Sequence, residues 1–179
     1  MPDRPTVAGE LFATVPIALL GGVLHFAFEW AGAWTPLAVF AAVNESVWEH
    51  LKIAVWPAMA WALAEAAVLR CGGTAFWGAR GIGLLAIPVL IAGVFYAYTA
   101  VLGHHVLAID LVLFVVAIAA GQVLSAVLLR PAERSRPLRL AGCALLAVQL
   151  AAFASLTYAP PDVVLFDAPG PDAWTLSTG

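Results

Sequence analysis

The chain has 179 residues, of which 63% are hydrophobic and 11% are charged, whereas soluble globular proteins have about 45–50% apolar and about 25% charged residues. With a mean hydropathy of +0.96, the chain has too little polar surface to cover a soluble globule. Lys and Arg number 8 against 11 Asp and Glu, for a formal charge of −3. This sign is wrong for neutralising phosphates and argues against nucleic acid as a partner. The composition indicates an integral membrane protein.

Five segments meet the requirement of about 20 mostly apolar residues for a membrane-spanning helix. They are residues 9–30, 44–69, 80–102, 105–129 and 138–158. None shows the two-residue alternation of a barrel strand. The sequence therefore predicts an all-α fold, a polytopic transmembrane bundle over residues 1–159. Residues 160–179 are expected to form an extracytoplasmic tail whose apolar part packs over the outer mouth of the bundle.

The connections between the spans contain Gly, Pro or charged residues. Residues 31–43 are too few to span the membrane and too apolar for a solvated loop, so we expect them to lie in the interface or to re-enter the bilayer. The Gly-rich stretch 70–80 is expected to join the second and third spans. A charged turn is expected between the fourth and fifth.

The cations predict the orientation of the bundle. Seven of the eight Lys and Arg residues precede span one or lie between spans two and three or spans four and five: Arg4, Arg70, Arg80, Arg130, Arg134, Arg136 and Arg139. By the positive-inside rule the amino terminus is cytoplasmic, and after five spans the carboxyl terminus is outside. We therefore expect a multi-pass protein of the plasma membrane, with the lipid bilayer as its first partner.

Ionisable side chains gather in the predicted outer half, where each costs about 2.5 kcal/mol or more and is a candidate functional residue. The group includes all four histidines of the chain. Its members end span one, begin span two or begin span four: His25, Glu29, Glu45, Glu49, His50, Lys52, His104, His105 and Asp110.

The spacing of these residues predicts a metal site. His25 and Glu29 stand at i and i+4 on one helical face, as do Glu45 and Glu49. Imidazole with carboxylate suits zinc first, and manganese or iron second. The predicted ligands are His25, Glu29, His104, His105 and Asp110. Glu49 or Glu45 is expected to act as the general base on a metal-bound water.

Further polar residues are expected to line the site, and simpler roles compete with catalysis. Asn44 and Glu45 can cap the second helix, while Glu49 and Lys52 can form a local ion pair. On a helix His104 and His105 would point about 100° apart, so at most one of them would face inwards. The remaining predicted lining residues are Asn44, His50, Lys52, Tyr98 and Asp167.

Two polar residues are expected outside this group. Glu65 is expected near Arg70, in an interfacial role. Gln122 is expected to make a hydrogen bond between helices.

The run LHFAFEWAGAWTPLAVFAAVNESVWEHLK, together with YTAVLGHH and the tail TYAPPDVVLFD, resembles a family of small bacterial integral membrane proteins of unknown function. The NESVWEHLK motif is its most specific piece. The resemblance covers nearly the whole chain and implies no reaction.

Three hypotheses follow for the function. The leading one is a metal-dependent hydrolase of a lipid or lipid-linked substrate at the outer leaflet. The second is a transporter of protons or divalent cations, and the third is a non-catalytic membrane subunit. Five helices with little extramembrane mass also leave a homodimer as a candidate assembly.

Overall fold

The computed structural model describes residues 5–129 and 136–168 and contains five long helices in these ranges. They are α1 (Val7–Trp30), α2 (Val47–Val68), α3 (Thr74–Leu102), α4 (Leu107–Leu129) and α5 (Arg136–Leu156). Each is long and apolar enough to cross a membrane, and no strand occurs in the described part of the chain. The predicted all-α bundle with five span-length helices is confirmed. Its orientation in the membrane stays a prediction.

Helices α1, α2, α3 and α4 form a ring in which each packs against two neighbours, and α5 packs on the outside against α3. Midway along the helix axes, the centre of the ring is filled by fully buried aliphatic side chains, among them Ile17, Leu84, Ile87 and Ile118. Many outward-facing side chains are large, apolar and exposed, as expected for a surface solvated by lipid rather than water.

Glycines bring α3 close to α4 and α5. A Cβ at Gly81 would overlap the backbone of Gly142 in α5, and one at Gly83 would overlap Ser125 in α4. Such small residues let membrane helices approach closely, and close packing drives their association. The expectation that residues 70–80 form a connection is wrong for its second half, where Gly78 also packs on α5 and a Cβ would overlap the backbone of Arg139. Helix α3 begins at Thr74 rather than at residue 80.

The segment between α1 and α2 folds back onto the end of the bundle. Gly32 and Ala33 have positive φ angles of 64° and 58° and turn the chain into a short 3-10 helix, Thr35–Val39. The amide of Ala42 then donates to the carbonyl of Leu24, at 3.2 Å. This bond brings the start of α2 close to the last turns of α1.

The chain after α5 packs against the same end of the bundle. A 3-10 turn, Val164–Phe166, places the Phe166 ring 4.6 Å from the ring of Trp48 in α2. The Tyr96 hydroxyl donates to the carbonyl of Val164, at 3.4 Å. Asp167 is exposed and stands apart from the histidine cluster described below. Residues 169–179 of the predicted tail lie outside the described residues.

Candidate metal centre and adjoining pocket

Three side chains from two helix ends converge where α1 finishes and α2 starts. The Nε2 atoms of His25 and His50 each lie 3.6 Å from Oε2 of Glu45. One ligand atom from each residue lies within 4.8 Å of the other two. Two imidazoles and a carboxylate form the donor set of many catalytic zinc sites.

The spacing of these atoms is close to that around a metal ion. Donor atoms at about 2.0–2.1 Å from tetrahedral zinc lie about 3.4 Å from one another, and the two 3.6 Å separations are near this value. Only the two imidazole nitrogens would have to approach each other. Because both histidines are partly exposed, their rings have room for this movement.

A backbone hydrogen bond fixes the tautomer of His50. Its Nδ1 lies 2.8 Å from the carbonyl oxygen of Ser46, and a carbonyl only accepts, so Nδ1 carries the proton of the neutral ring. The lone pair is then on Nε2, the atom next to Glu45. In metal-ligating histidines, the ring nitrogen that does not bind the metal commonly donates to a backbone carbonyl in this way.

The cluster closes one end of a pocket of about 480 Å³ that is lined by residues of α1, α2, α3 and α4. Its polar lining residues are His25, Glu45, His50, His105 and Asp110, and all other lining residues are apolar or glycine. A largely apolar cavity with a few convergent polar groups is typical of a small-molecule site.

A second polar group faces this pocket from the junction of α3 and α4. His105 Nδ1 lies 3.1 Å from Oδ2 of Asp110, and the Tyr98 hydroxyl donates to the other carboxylate oxygen. The amide of Val106 donates to the Tyr98 oxygen, at 3.2 Å. Asp110 thus holds the His105 ring at the pocket wall, although neither residue belongs to the three-residue cluster.

Two predicted ligands lie elsewhere. Glu29 is exposed and is absent from both the cluster and the pocket lining. His104 is exposed, with its Nδ1 3.0 Å from the carbonyl of Leu102, and His105 is the one of the two that lines the pocket. Both histidines precede α4, which begins at Leu107, so the 100° argument for a helix does not apply to them.

Glu49 and Lys52 form a separate buried ion pair at 2.7 Å, with both side chains almost fully enclosed. Lys52 also donates to the carbonyl of Ala38, at 2.7 Å, and to Oγ1 of Thr157, at 2.9 Å. The Glu49 carboxylate accepts from the amide of Val43, at 2.9 Å. Of the two predicted general bases, Glu49 does not line the pocket and is not positioned to meet a ligand there, whereas Glu45 does line it. The pair instead holds the segment that carries Glu45.

Asn44 has a local role in the same segment. Its side-chain oxygen accepts from the amide of Ser46, at 2.9 Å, just before α2 begins at Val47. Because Glu45 precedes the helix, the predicted i, i+4 pair is split. Glu45 turns to the histidines, and Glu49 turns to Lys52.

Another buried polar network lies towards the opposite end of the bundle, and the sequence reasoning missed it. Arg80 of α3 contacts the carboxylates of Glu10 and Glu65. Its Nη1 also donates to Oε1 of Gln122, at 3.3 Å. The side-chain nitrogen of Gln122 in turn donates to the carboxylate of Glu10, at 2.8 Å. Arg80, Glu10 and Gln122 are fully buried. Two expectations were wrong: Arg80 is a buried helix residue, and Glu65 pairs with it rather than with Arg70.

The position of Glu10 in the sequence could have indicated this network. A carboxylate one turn inside an apolar helix requires a partner, and the buried cation of α3 provides it. Between this network and the histidine cluster lies the aliphatic layer of Ile17, Ile87 and Ile118. In the described part of the chain, buried aliphatic side chains therefore separate the two polar regions.

Comparison with known proteins places the chain in a family without assigning an activity. Residues 6–169 match a family of unknown function, DUF6512, and the chain belongs to this family. No curated protein and no solved structure matches the chain.

Proposed function

We propose that this member of the family is a metal-dependent membrane hydrolase that acts on an amphiphilic substrate. His25, Glu45 and His50 would hold one divalent ion, zinc first and manganese or iron second. The observation that carries the proposal is the convergence of these three donors at the polar end of an otherwise apolar pocket.

The donor set favours catalysis over a purely structural ion. Structural zinc sites are closed by four protein ligands, whereas catalytic sites have three and leave a position open. Here three donors converge, and the space beside them is the pocket. A bound ion would lower the pKa of a coordinated water and polarise a substrate carbonyl.

His105, which lines the same pocket, is the proposed group for proton transfer. Asp110 fixes its ring, as a carboxylate orients a catalytic imidazole in other hydrolases. Water would attack the carbonyl carbon of an ester or amide bond while His105 accepts its proton. His105 would then return that proton to the leaving oxygen or nitrogen. Asp110 and Tyr98 act as positioning residues.

The aliphatic layer argues against the transport alternative. A cation or proton path must cross the bundle, yet the side chains of Ile17, Ile87 and Ile118, between its two polar regions, are apolar and fully buried. Moving a charge through such a layer costs far more than leaving it at either polar end. The one-sided arrangement favours a site that opens to one leaflet.

Metal analysis of detergent-purified protein tests the first half of the proposal. After loading with zinc and removal of excess ion, wild type should retain about one equivalent. His50→Ala and Glu45→Gln should weaken zinc binding more than about 100-fold. Even mutation of a residue that only hydrogen-bonds to a metal ligand lowers metal affinity by about 10–100-fold. His104→Ala and Glu29→Gln are matched controls that remove the same residue types outside the cluster. Equal metal retention in all five proteins would refute the site.

Hydrolysis tests the second half. Purified protein is incubated with membrane lipid extract, and released fatty acids are measured by mass spectrometry. His105→Gln should retain zinc but lose about 100–10,000-fold in turnover, the usual contribution of a general acid–base group. Product release that is independent of zinc and of His105 would contradict this mechanism.

A further inference from the structure

The pocket is elongated along the helices. Its lining on α1 extends from Val15 to His25, ten residue steps that span about 15 Å at about 1.5 Å each. The hydrocarbon core of a bilayer is about 30 Å thick, so the pocket has the depth of one leaflet. Its polar end, at His25, lies at the end of the helix where a headgroup would be.

The side of the pocket opens between α1 and α4. Leu19 on α1 and Leu107 and Leu111 on α4 line the pocket, yet they are 68%, 63% and 58% exposed. Side chains that border a cavity and are also open to the outside mark its rim. Because this rim lies on the apolar surface of span-length helices, it faces hydrocarbon rather than water.

The width of the pocket fits one hydrocarbon chain. A volume of about 480 Å³ over a length of about 15 Å gives a mean cross-section of about 30 Å². Apolar chains in contact lie about 4.5 Å apart, so each occupies about 20 Å². A cross-section of this size admits a hydrocarbon chain.

We propose that the pocket takes a hydrocarbon chain of a lipid, which enters sideways from the surrounding leaflet between α1 and α4. This inference rests on the proposed function, because it places the polar head of the lipid at the His25, Glu45 and His50 cluster. It narrows the substrate class to amphiphiles with a hydrocarbon chain to insert, and it makes the bond next to the headgroup the one presented for cleavage.

The membrane is a better source of the occupant than the described residues of the chain after α5. The apolar turn Val164–Phe166 is already packed against α2 beside Trp48, and it does not line the pocket. A water-soluble ligand would have to cross the headgroup region to reach walls that are apolar over most of their length. A lipid chain reaches the rim without leaving hydrocarbon.

Two glycines allow a matched test. Gly22 lines the pocket, and a Cβ there would meet nothing within 4 Å, so Gly22→Leu fills the space without a backbone clash. Gly93 is also exposed with nothing within 4 Å of a Cβ, but it lies outside the pocket lining. Gly93→Leu is therefore the control, and both changes favour helix formation.

The probe is a fatty acid with a photoreactive diazirine in its chain, mixed into phosphatidylcholine vesicles that hold the full-length protein. After illumination, peptide mass spectrometry should place the label on pocket residues such as Leu111. Gly22→Leu should reduce this labelling at least 10-fold, whereas Gly93→Leu should leave it unchanged. Equal labelling in Gly22→Leu and wild type would overturn the inference, as would cross-links between two copies of the chain through α1 and α4.

Zinc retention is measured on the same samples. Retained zinc with no difference in labelling would reject the lipid pocket while the metal site stands. Pocket labelling that Gly22→Leu abolishes, in a protein that retains no zinc, would support the lipid pocket and reject the metal site.

Discussion

The buried pair of Glu49 and Lys52 gives the sharpest prediction about stability. Lys52 is fully enclosed and is bonded to Glu49, Ala38 and Thr157. In Lys52→Met the carboxylate of Glu49 keeps only the amide of Val43 as a donor. Removing one partner of a buried ion pair usually costs about 3–5 kcal/mol, because the remaining charge is left uncompensated. We expect a loss of this size in the free energy of unfolding.

The double variant separates this effect from a simple loss of packing. In Glu49→Gln/Lys52→Met no charge remains, and the glutamine oxygen can still accept from Val43. The double variant should therefore be more stable than the sum of the two single changes predicts, by at least about 2 kcal/mol, within the range of measured couplings between contacting residues. Glu29→Gln, at an exposed position, should change stability by less than about 0.5 kcal/mol.

The assay is unfolding in mixed micelles of dodecyl sulfate and a mild detergent, followed by tryptophan fluorescence. Zinc binding by Lys52→Met is measured in parallel, and it should weaken although Lys52 is not a ligand, because the pair fixes the segment that carries Glu45. If Lys52→Met were as stable as wild type, or if the two changes were simply additive, the pair would not be the contact that holds this segment.

The remaining predictions concern the opposite end of the bundle. Arg80→Met should destabilise the protein by about 3–5 kcal/mol in the same assay, because it leaves the carboxylates of Glu10 and Glu65 without their cation, and a stable Arg80→Met would contradict the network. Gly142→Leu should prevent the close approach of α3 and α5 and give little folded protein by size-exclusion chromatography, whereas Gly93→Leu should elute as wild type does. In a Cys143→Ser background, Cys71 in the α2–α3 connection should react in intact cells with a permeant maleimide but not with an impermeant one, and labelling by both reagents would invert the predicted orientation. Partial burial raises the pKa of the Cys71 thiol, so less of the reactive thiolate is present at neutral pH, and the labelling rate should rise with pH across the alkaline range.

Several features were determined by the sequence alone. In a bilayer, the backbone N–H and C=O groups of an apolar run of about 20 residues must be hydrogen-bonded, and a single segment achieves this only as a helix. The five-helix class therefore follows from composition and length. The cost of ionisable groups in hydrocarbon singled out nine residues as a group, and five of them line one pocket: His25, Glu45, His50, His105 and Asp110. Neither argument requires knowledge of which helix packs against which.

The partners within that group depended on tertiary structure. From their spacing, Glu45 and Glu49 were expected on one face of a helix. Helix α2 begins between them, at Val47, so Glu45 lies outside the helix and the two carboxylates contact different residues. Spacing also paired His25 with Glu29, whereas the segment between α1 and α2 folds back and brings Glu45 to His25 instead.

The glycines around Arg80 show the same division. In sequence, a Gly-rich stretch that ends in arginine is typical of a loop, since glycine weakens isolated helices. In the bundle, Gly78 and Gly81 face the backbone of α5, and no larger side chain would fit there. Only the packing of α3 against α4 and α5 turns this stretch into helix and brings Arg80 to Glu10 across the ring. Local patterns determine which segments span the membrane, while contacts between distant segments determine which charges meet.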